Sequence, residues 1–396
     1  MMDASLFIAR RLRFKGRIAV TSIAVSFIVM IISVSVSSGF RHEIRDGISF
    51  LSGDIQLTPV NLNYLDESSP IERRPAYLEK VEALKGVKAV SPAVYKAGIV
   101  KTDGEIHGVL FKGIENPGKV SGTDSLPSLG VAVPSGLASI LHLKPGDRLP
   151  SYFIGEKIRV RNFTVASVYE GMFDSDPENM VVFASLSDMQ RLNGWGSNQV
   201  SALEVQLDNR YKDMQGMEAM QQEVGSMALL YADDESASVV ARSAVSRYPQ
   251  IFDWLGLIDF NVFFILLLMT VVAGFNMISG LLIMLFENIS TIGLLKSLGM
   301  DDRRIAKVFL TSASSAVLKG MVIGNAVALL LCAIQGTTHM LRLDPANYFL
   351  PYVPVHIDLP LFLLADIAAY LAIMLLLLIP SLFITKIDPA KTVRVA

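Results

Sequence analysis

The chain has 396 residues, 52% hydrophobic and only 18% charged, with a formal net charge of −2 and a mean hydropathy of +0.45. An ordinary soluble domain carries about 25% charged residues, so this balance points to a membrane protein with a water-soluble part, and the near-neutral charge excludes a nucleic-acid partner. The one cysteine, Cys332, lies inside an apolar run; it can form no intrachain disulfide and belongs to no lipid-attachment or metal motif.

Residues 1–17, "MMDASLFIARRLRFKGR", set Leu6, Phe7, Ile8, Leu12 and Phe14 among Arg10, Arg11, Arg13, Lys15 and Arg17. This pattern predicts an interfacial helix on the inner leaflet, or else the positive flank of the first span. A helical span of about 30 Å needs roughly 20 apolar residues. Four runs meet that requirement: 18–40, 259–286, 305–335 and 359–385. The first is too long for a signal peptide and no small-residue cleavage site follows it. Lys296, Arg303, Arg304 and Lys307 follow the second span, and Lys386, Lys391 and Arg394 follow the fourth. Only Arg342 stands in the loop 336–358. The positive-inside rule then puts both termini, 287–304 and the tail 386–396 in the cytoplasm, and 41–258 outside.

Within 41–258, alternation in "GDIQLTPV", "VKAVSPAVYKAGIVKTDGEIHGVLFKGI", "NFTVASVYE", "MVVFASL" and "ALEVQLD" predicts strands. Helical spacing appears in "RPAYLEKVEALKG", "SGLASILHL", "SLSDMQRLNG" and "YKDMQGMEAMQQEVGSM". The interleaving predicts an α+β domain, in two lobes. "SASVVARSAVSRYPQIFDWLGLIDF" reads as a helical stalk entering the second span, with Pro249 kinking it or marking its start. No H-E-x-x-H, G-x-S-x-G, C-x-x-C or phosphate-binding G-x-x-x-x-G-K-[ST] occurs. His42, His107 and His142 stand singly, and Asp174, Asp176 and Glu178 do not have EF-hand spacing. No catalytic residue, metal site or bound cofactor is expected.

Between the second and third spans, "ENISTIGLLKSLGMDDRRI" is too short and polar to cross a bilayer. Ile292, Leu295 and Leu298 read as a one-sided stripe. Asn288 or Ser290 would cap its start, Gly299 would end it in the left-handed conformation, and Asp301 would cap the next helix. Gly320 and Gly324 form a G-x-x-x-G in the third span, and Gly274 and Gly280 are small sites in the second; all four predict close helix packing. Asn276, Lys319 and Asp366 are polar positions inside spans. Lys319 and Asp366 either pair with each other or reach towards the interfaces.

Several segments, in order, resemble the permease subunits of the FtsX/MacB superfamily of ABC transporters, most of all the Lol-type lipoprotein-releasing branch. They are "FIARRLRFKGRIAVTSIAV", "SSGFRHEIRDGI", "GVLFKGIENP", "LASILHLKPGDRL", "FDWLGLIDFNVFFILLLMTVVAGFNMISGLLIMLFENISTIGLLKSLG", "RLDPANYFLPYVPVHI" and "ITKIDPAKTVRV". The resemblance implies four transmembrane α-helices with a large α+β periplasmic domain inserted between helices 1 and 2, in the inner membrane of a Gram-negative bacterium. It also implies a type VII ABC system: a permease dimer, homo- or heterodimeric, over a separate cytoplasmic ATPase that holds ATP and Mg²⁺. The system passes lipoprotein cargo to a periplasmic chaperone. On this resemblance Glu287, Ile292, Leu294, Leu295, Lys296, Leu298 and Gly299 form an ATPase-coupling helix. The family's proline-rich chaperone hook corresponds to "LPSYFIGEKIRVRN", which keeps only Pro150, so Pro150 and Phe153 are the candidate contacts. A cell-wall-hydrolase regulator like FtsX, or a MacB-like efflux permease, is the alternative within the superfamily.

Overall fold

The computed structural model describes residues 17–62, 70–102, 105–117, 120, 126–155, 158–170, 180–233 and 238–381. The expected interfacial helix, the acidic turn at Asp174–Glu178 and the tail 386–396 lie outside the described residues. Contacts divide the chain into two units, one of residues 42–254 and 342–352, the other of the remainder.

In chain order the first unit's elements begin with the end of α1 (Arg17–Ser52), then β1 (Ile55–Pro59), β2 (Ile71–Glu72), α2 (Leu78–Glu82), β3 (Val87–Lys101) and β4 (Ile106–Ile114). Next come β5 (Gly130–Pro134), α3 (Ser135–Ile140), β6 (Arg148–Phe153), β7 (Arg159–Tyr169), β8 (Val181–Ser185) and α4 (Leu186–Asn193). Then follow β9 (Gln199–Val200), β10 (Ala202–Leu207), α5 (Met214–Leu230), β11 (Val239–Ser243) and α6 (Ala244–Arg247). Nine strands form one sheet in the order β11-β1-β10-β3-β4-β8-β5-β7-β6, and β6 also pairs with β3. That last pairing, Ile99 with Tyr152 and Val100 with Ser151, closes six strands into a small barrel. The length of β3 makes this possible: its first half pairs with β10 and its second with β4.

The barrel core is aromatic. Phe111 lies 5.0 Å from Phe153 and 5.3 Å from Phe163, ring centre to ring centre. Gly98 leaves room for them, since a Cβ there would stand 2.8 Å from the Phe153 ring. The domain is thus α+β, as expected; beside the nine-stranded sheet, β2 and β9 pair as a separate two-stranded one. The stalk also departs from expectation. Residues 239–243 are a strand, because Val239 and Val240 extend the sheet antiparallel to β1. The helix starts only at Pro249, whose fixed φ and missing N–H suit a first helical position.

The second unit is helical. Besides the start of α1 it holds α7 (Pro249–Glu287) from Leu255 onward, α8 (Ile289–Ser297), α9 (Asp302–Thr338), α11 (Leu359–Leu376) and α12 (Leu378–Ser381); α10 (Pro345–Tyr348) belongs to the first unit. Among the described residues four helices are long and apolar enough to cross a membrane. At 1.5 Å per residue, the 36 residues of α1 span about 54 Å and the 39 of α7 about 58 Å, both well beyond a bilayer core of about 30 Å. The bundle core draws on every long helix: Ile23 and Phe27 from α1, Met277 and Leu281 from α7, Phe309 and Val317 from α9, Ile373 from α11.

Candidate functional site

Three places carry the features that the sequence singles out. The first is α8. Its end is a Schellman motif: Gly299 has φ +84°, its N–H reaches the Lys296 carbonyl at 3.0 Å, and the Met300 N–H reaches that of Leu295 at 2.9 Å. Gly299 thus stops the helix in the expected way. Its start differs. The Asn288 side chain accepts nothing from α8; its amide donates to the Met284 carbonyl at 2.8 Å, closing the end of α7 instead. Asp301 holds the N-cap position of α9 in extended geometry, without a side-chain capping bond.

The faces of α8 also differ from the expected stripe. Ile292 is fully buried in the bundle core, and Leu295 packs partly against it. Leu294 and Leu298 point away, 56% and 75% exposed, beside exposed Glu287 and Thr291. Lys296 is turned inward: its ammonium meets Asp302 at 2.8 Å and braces α8 against the first turn of α9. The outward apolar surface is therefore Leu294 and Leu298, while Ile292, Leu295 and Lys296 anchor the helix.

The second place is the bundle interior. A Cβ at Gly324 would stand 2.6 Å from the Ala24 carbonyl oxygen, and one at Gly320 would stand 2.7 Å from Ile23 Cγ2. The G-x-x-x-G thus lets α1 and α9 approach within one chain. A Cβ at Gly274 would stand 2.4 Å from Leu376 Cδ1 on α11, and Gly280 is half-buried. Asn276 donates to Ser22 at 2.5 Å. The conceivable Lys319–Asp366 pair does not form. Lys319 is exposed, whereas buried Asp366 accepts from the Asn325 amide at 2.5 Å.

Between α1, α7 and α11 lies a cavity of about 550 Å³, walled by apolar side chains such as Val34, Phe263, Leu267 and Leu364. Asp259 sits on its rim, accepting from the Ser37 hydroxyl at 2.6 Å and facing Arg41 at 3.5 Å. The only mark of this site in the sequence is an acidic residue at the edge of a span, in "LIDFNVFF".

The third place is the β6–β7 hairpin, which holds the expected contacts Pro150 and Phe153. Pro150 is half-buried and pairs with Asn162. Phe153 is 1% exposed and packed on Phe111, so its ring lies in the barrel core and not on the hairpin surface. The exposed apolar side chains of this hairpin are Ile154, Ile158 and Val160.

The two units define a class: a protein with four helices long and apolar enough to cross a membrane, and a β-rich domain. Family comparison narrows it. Residues 18–227, more than half the chain, match the MacB-like periplasmic core domain, and residues 263–389 match the FtsX-like permease C-terminal region. The chain belongs to the MacB-like periplasmic core domain family and carries an FtsX-like permease region. LolC of Neisseria meningitidis, a lipoprotein-releasing system transmembrane protein, is 24% identical over 96% of this chain and 94% of its own length. LolE of Haemophilus influenzae, of the same system, is 20% identical over 95% of this chain and 93% of its own. Among solved structures, the periplasmic region of MacB from Actinobacillus actinomycetemcomitans aligns with 52% of this chain and 94% of its own, at 14% identity and a TM-score of 0.31.

Proposed function

We propose that this chain is the non-catalytic permease subunit of an ATP-driven system that releases lipoproteins from the outer leaflet of the inner membrane to a periplasmic chaperone. The observation that carries this reading is the end-to-end similarity to LolC and LolE, over 95% or more of the chain. In this reading α1, α7, α9 and α11 cross the membrane, both termini and α8 face the cytoplasm, and 41–258 with 336–358 lie in the periplasm. The basic residues in and after α8 (Lys296, Arg303, Arg304 and Lys307) and their scarcity at 336–358 support that orientation.

A separate cytoplasmic ATPase holds ATP and Mg²⁺ and receives α8 through Leu294 and Leu298, with Glu287 at the edge. Lys296–Asp302 keeps α8 fixed to α9, so that movement of the ATPase moves the spans. A second permease completes the transporter. Only 6% of the most apolar stretch of α7 is buried, against 44% for α1, which leaves α7 available to that partner. The cavity between α1, α7 and α11 suits the acyl chains of the cargo, with Ser37, Arg41 and Asp259 marking the level of its polar part.

Depletion tests the reading. Release predicts mature outer-membrane lipoproteins stranded in the inner membrane. If they still reach the outer membrane while cell division or drug resistance fails, a regulator of the FtsX kind or an efflux permease of the MacB kind replaces this reading.

A further inference from the structure

The sheet unit contains a row of polar residues that neither the family comparison nor the proposed cargo path uses. Gln56 on β1 stands directly across from Glu204 on β10, and Tyr95 on β3 directly across from Lys112 on β4. All four are buried. Lys112 Nζ lies 2.8 Å from the Glu204 carboxylate, Tyr95 donates its hydroxyl proton to Glu204, and Gln56 donates to the Tyr95 oxygen at 2.7 Å. The row is thus fully connected, which a buried polar network requires to be tolerated.

What the row grips is the end of a long helix. Lys112 donates a further bond, 2.9 Å, to the carbonyl of Leu51 in the last turn of α1. That carbonyl has no partner within the helix, and a cation there also opposes the helix dipole. Next along the chain, Gly53 passes so close over Glu204 that a Cβ would stand 2.9 Å from the Glu204 Cβ, and its φ of +68° favours glycine. The Gly53 carbonyl accepts from Arg247 at 2.7 Å. Arg247 stands two residues before Pro249, where α7 begins. Phe50 adds an apolar contact, 5.4 Å from the Phe183 ring. Burial pushes the Lys112 pKa down, and Glu204 beside it pushes back up.

Replacing such a buried ion pair by apolar residues is often neutral or stabilising, so stability alone is a weak reason to keep one. We propose that Lys112, Glu204 and Arg247 form a rigid joint that fixes the end of α1 and the start of α7 to the β-sheet, so that displacement of these helices is passed to the barrel without slack. These are positioning residues, and their link to cargo release rests on the function proposed above.

The test uses the full transporter with its ATPase in lipid nanodiscs, with Cys332→Ser as background. Spin labels at Glu43→Cys on α1 and Val160→Cys on β7 report their separation. Lys112→Met/Glu204→Leu removes the joint while leaving no orphaned charge. Expected are a distance distribution broader than the wild type in both nucleotide-free and ATP-bound states, and lipoprotein release per ATP lowered about tenfold with ATP hydrolysis within about twofold of wild type. Should the double variant fail to fold, Arg247→Met carries the same expectations, since it cuts the tie to Gly53 and leaves the Lys112–Glu204 pair in place. A folded variant with a narrow distribution, or with release per ATP equal to wild type, overturns the joint. If the wild-type complex itself releases no lipoprotein, the functional reading fails and the distance widths alone decide the joint.

Discussion

Leu298→Asp is the most informative single change at the proposed ATPase contact. Leu298 is 75% exposed and Leu294 is 56% exposed, on a helix whose other face is buried. Full burial of a leucine is worth about 1.5–3 kcal/mol, so covering the exposed part of Leu298 in an ATPase groove contributes about 1–2 kcal/mol. An aspartate loses that contribution and adds the cost of desolvating a carboxylate, giving at least about 2 kcal/mol, or roughly thirtyfold weaker assembly. The chain itself should be unaffected within about 0.5 kcal/mol, because the position is on its surface. Titrating the purified permease with its ATPase in detergent measures the affinity, and a melting curve of the permease alone checks the fold. Ile292→Asp is the contrasting control: buried in the bundle core, it should destabilise the permease itself. An unchanged affinity in Leu298→Asp together with Leu294→Asp would refute the assignment of α8 as the coupling helix.

Other sites give independent expectations. Gly324→Leu would force its side chain against the Ala24 carbonyl and Phe27, costing about 1–3 kcal/mol and lowering the melting temperature, while Gly336→Leu, with open space around it, should not. Tyr77 is buried, and burial, with Glu72 nearby, pushes its pKa from 10.0 up to about 12. Its folded-state pKa lies above the unfolded one, so its contribution is fully present below pH 10.0 and lost as pH rises through about 12. Comparing denaturation of wild type and Tyr77→Phe at about pH 9 and about pH 11 should show that fall in the wild type, less the Tyr77 share in the variant. Ile154→Ser with Ile158→Ser should weaken chaperone capture in a pull-down without changing ATPase assembly; equal capture would remove the β6–β7 hairpin from the chaperone path.

The long apolar runs made the four helices legible, and turn residues such as Gly299 marked their ends. The sequence did not show where α1 stops, because His42, Glu43, Arg45 and Asp46 end the apolar run without ending the helix. Two departures from the expected pattern share one geometric cause. Ile292 and Leu298 are six residues apart, which turns through 600° and leaves them about 120° from each other, whereas Leu294 and Leu298 differ by only about 40°. The same six-residue offset separates Lys319 from Asn325, so the residue that meets Asp366 lay on a neighbouring face of α9. In β6 the strand period decides: Leu149, Ser151 and Phe153 point inward, which a strict period of two would have shown. The Lys112–Glu204 row was beyond reach, since its members are scattered over 149 positions from Gln56 to Glu204 and meet only through strand register.

The proposed activity is ATP-driven transfer of a lipoprotein out of the membrane. Its most direct measurement is release from proteoliposomes containing this permease, its partner permease, the ATPase and a triacylated lipoprotein, with the chaperone added outside. ATP should move lipoprotein into the soluble, chaperone-bound fraction, and none should move without ATP. Full ATP hydrolysis with all lipoprotein retained in the vesicles would contradict it.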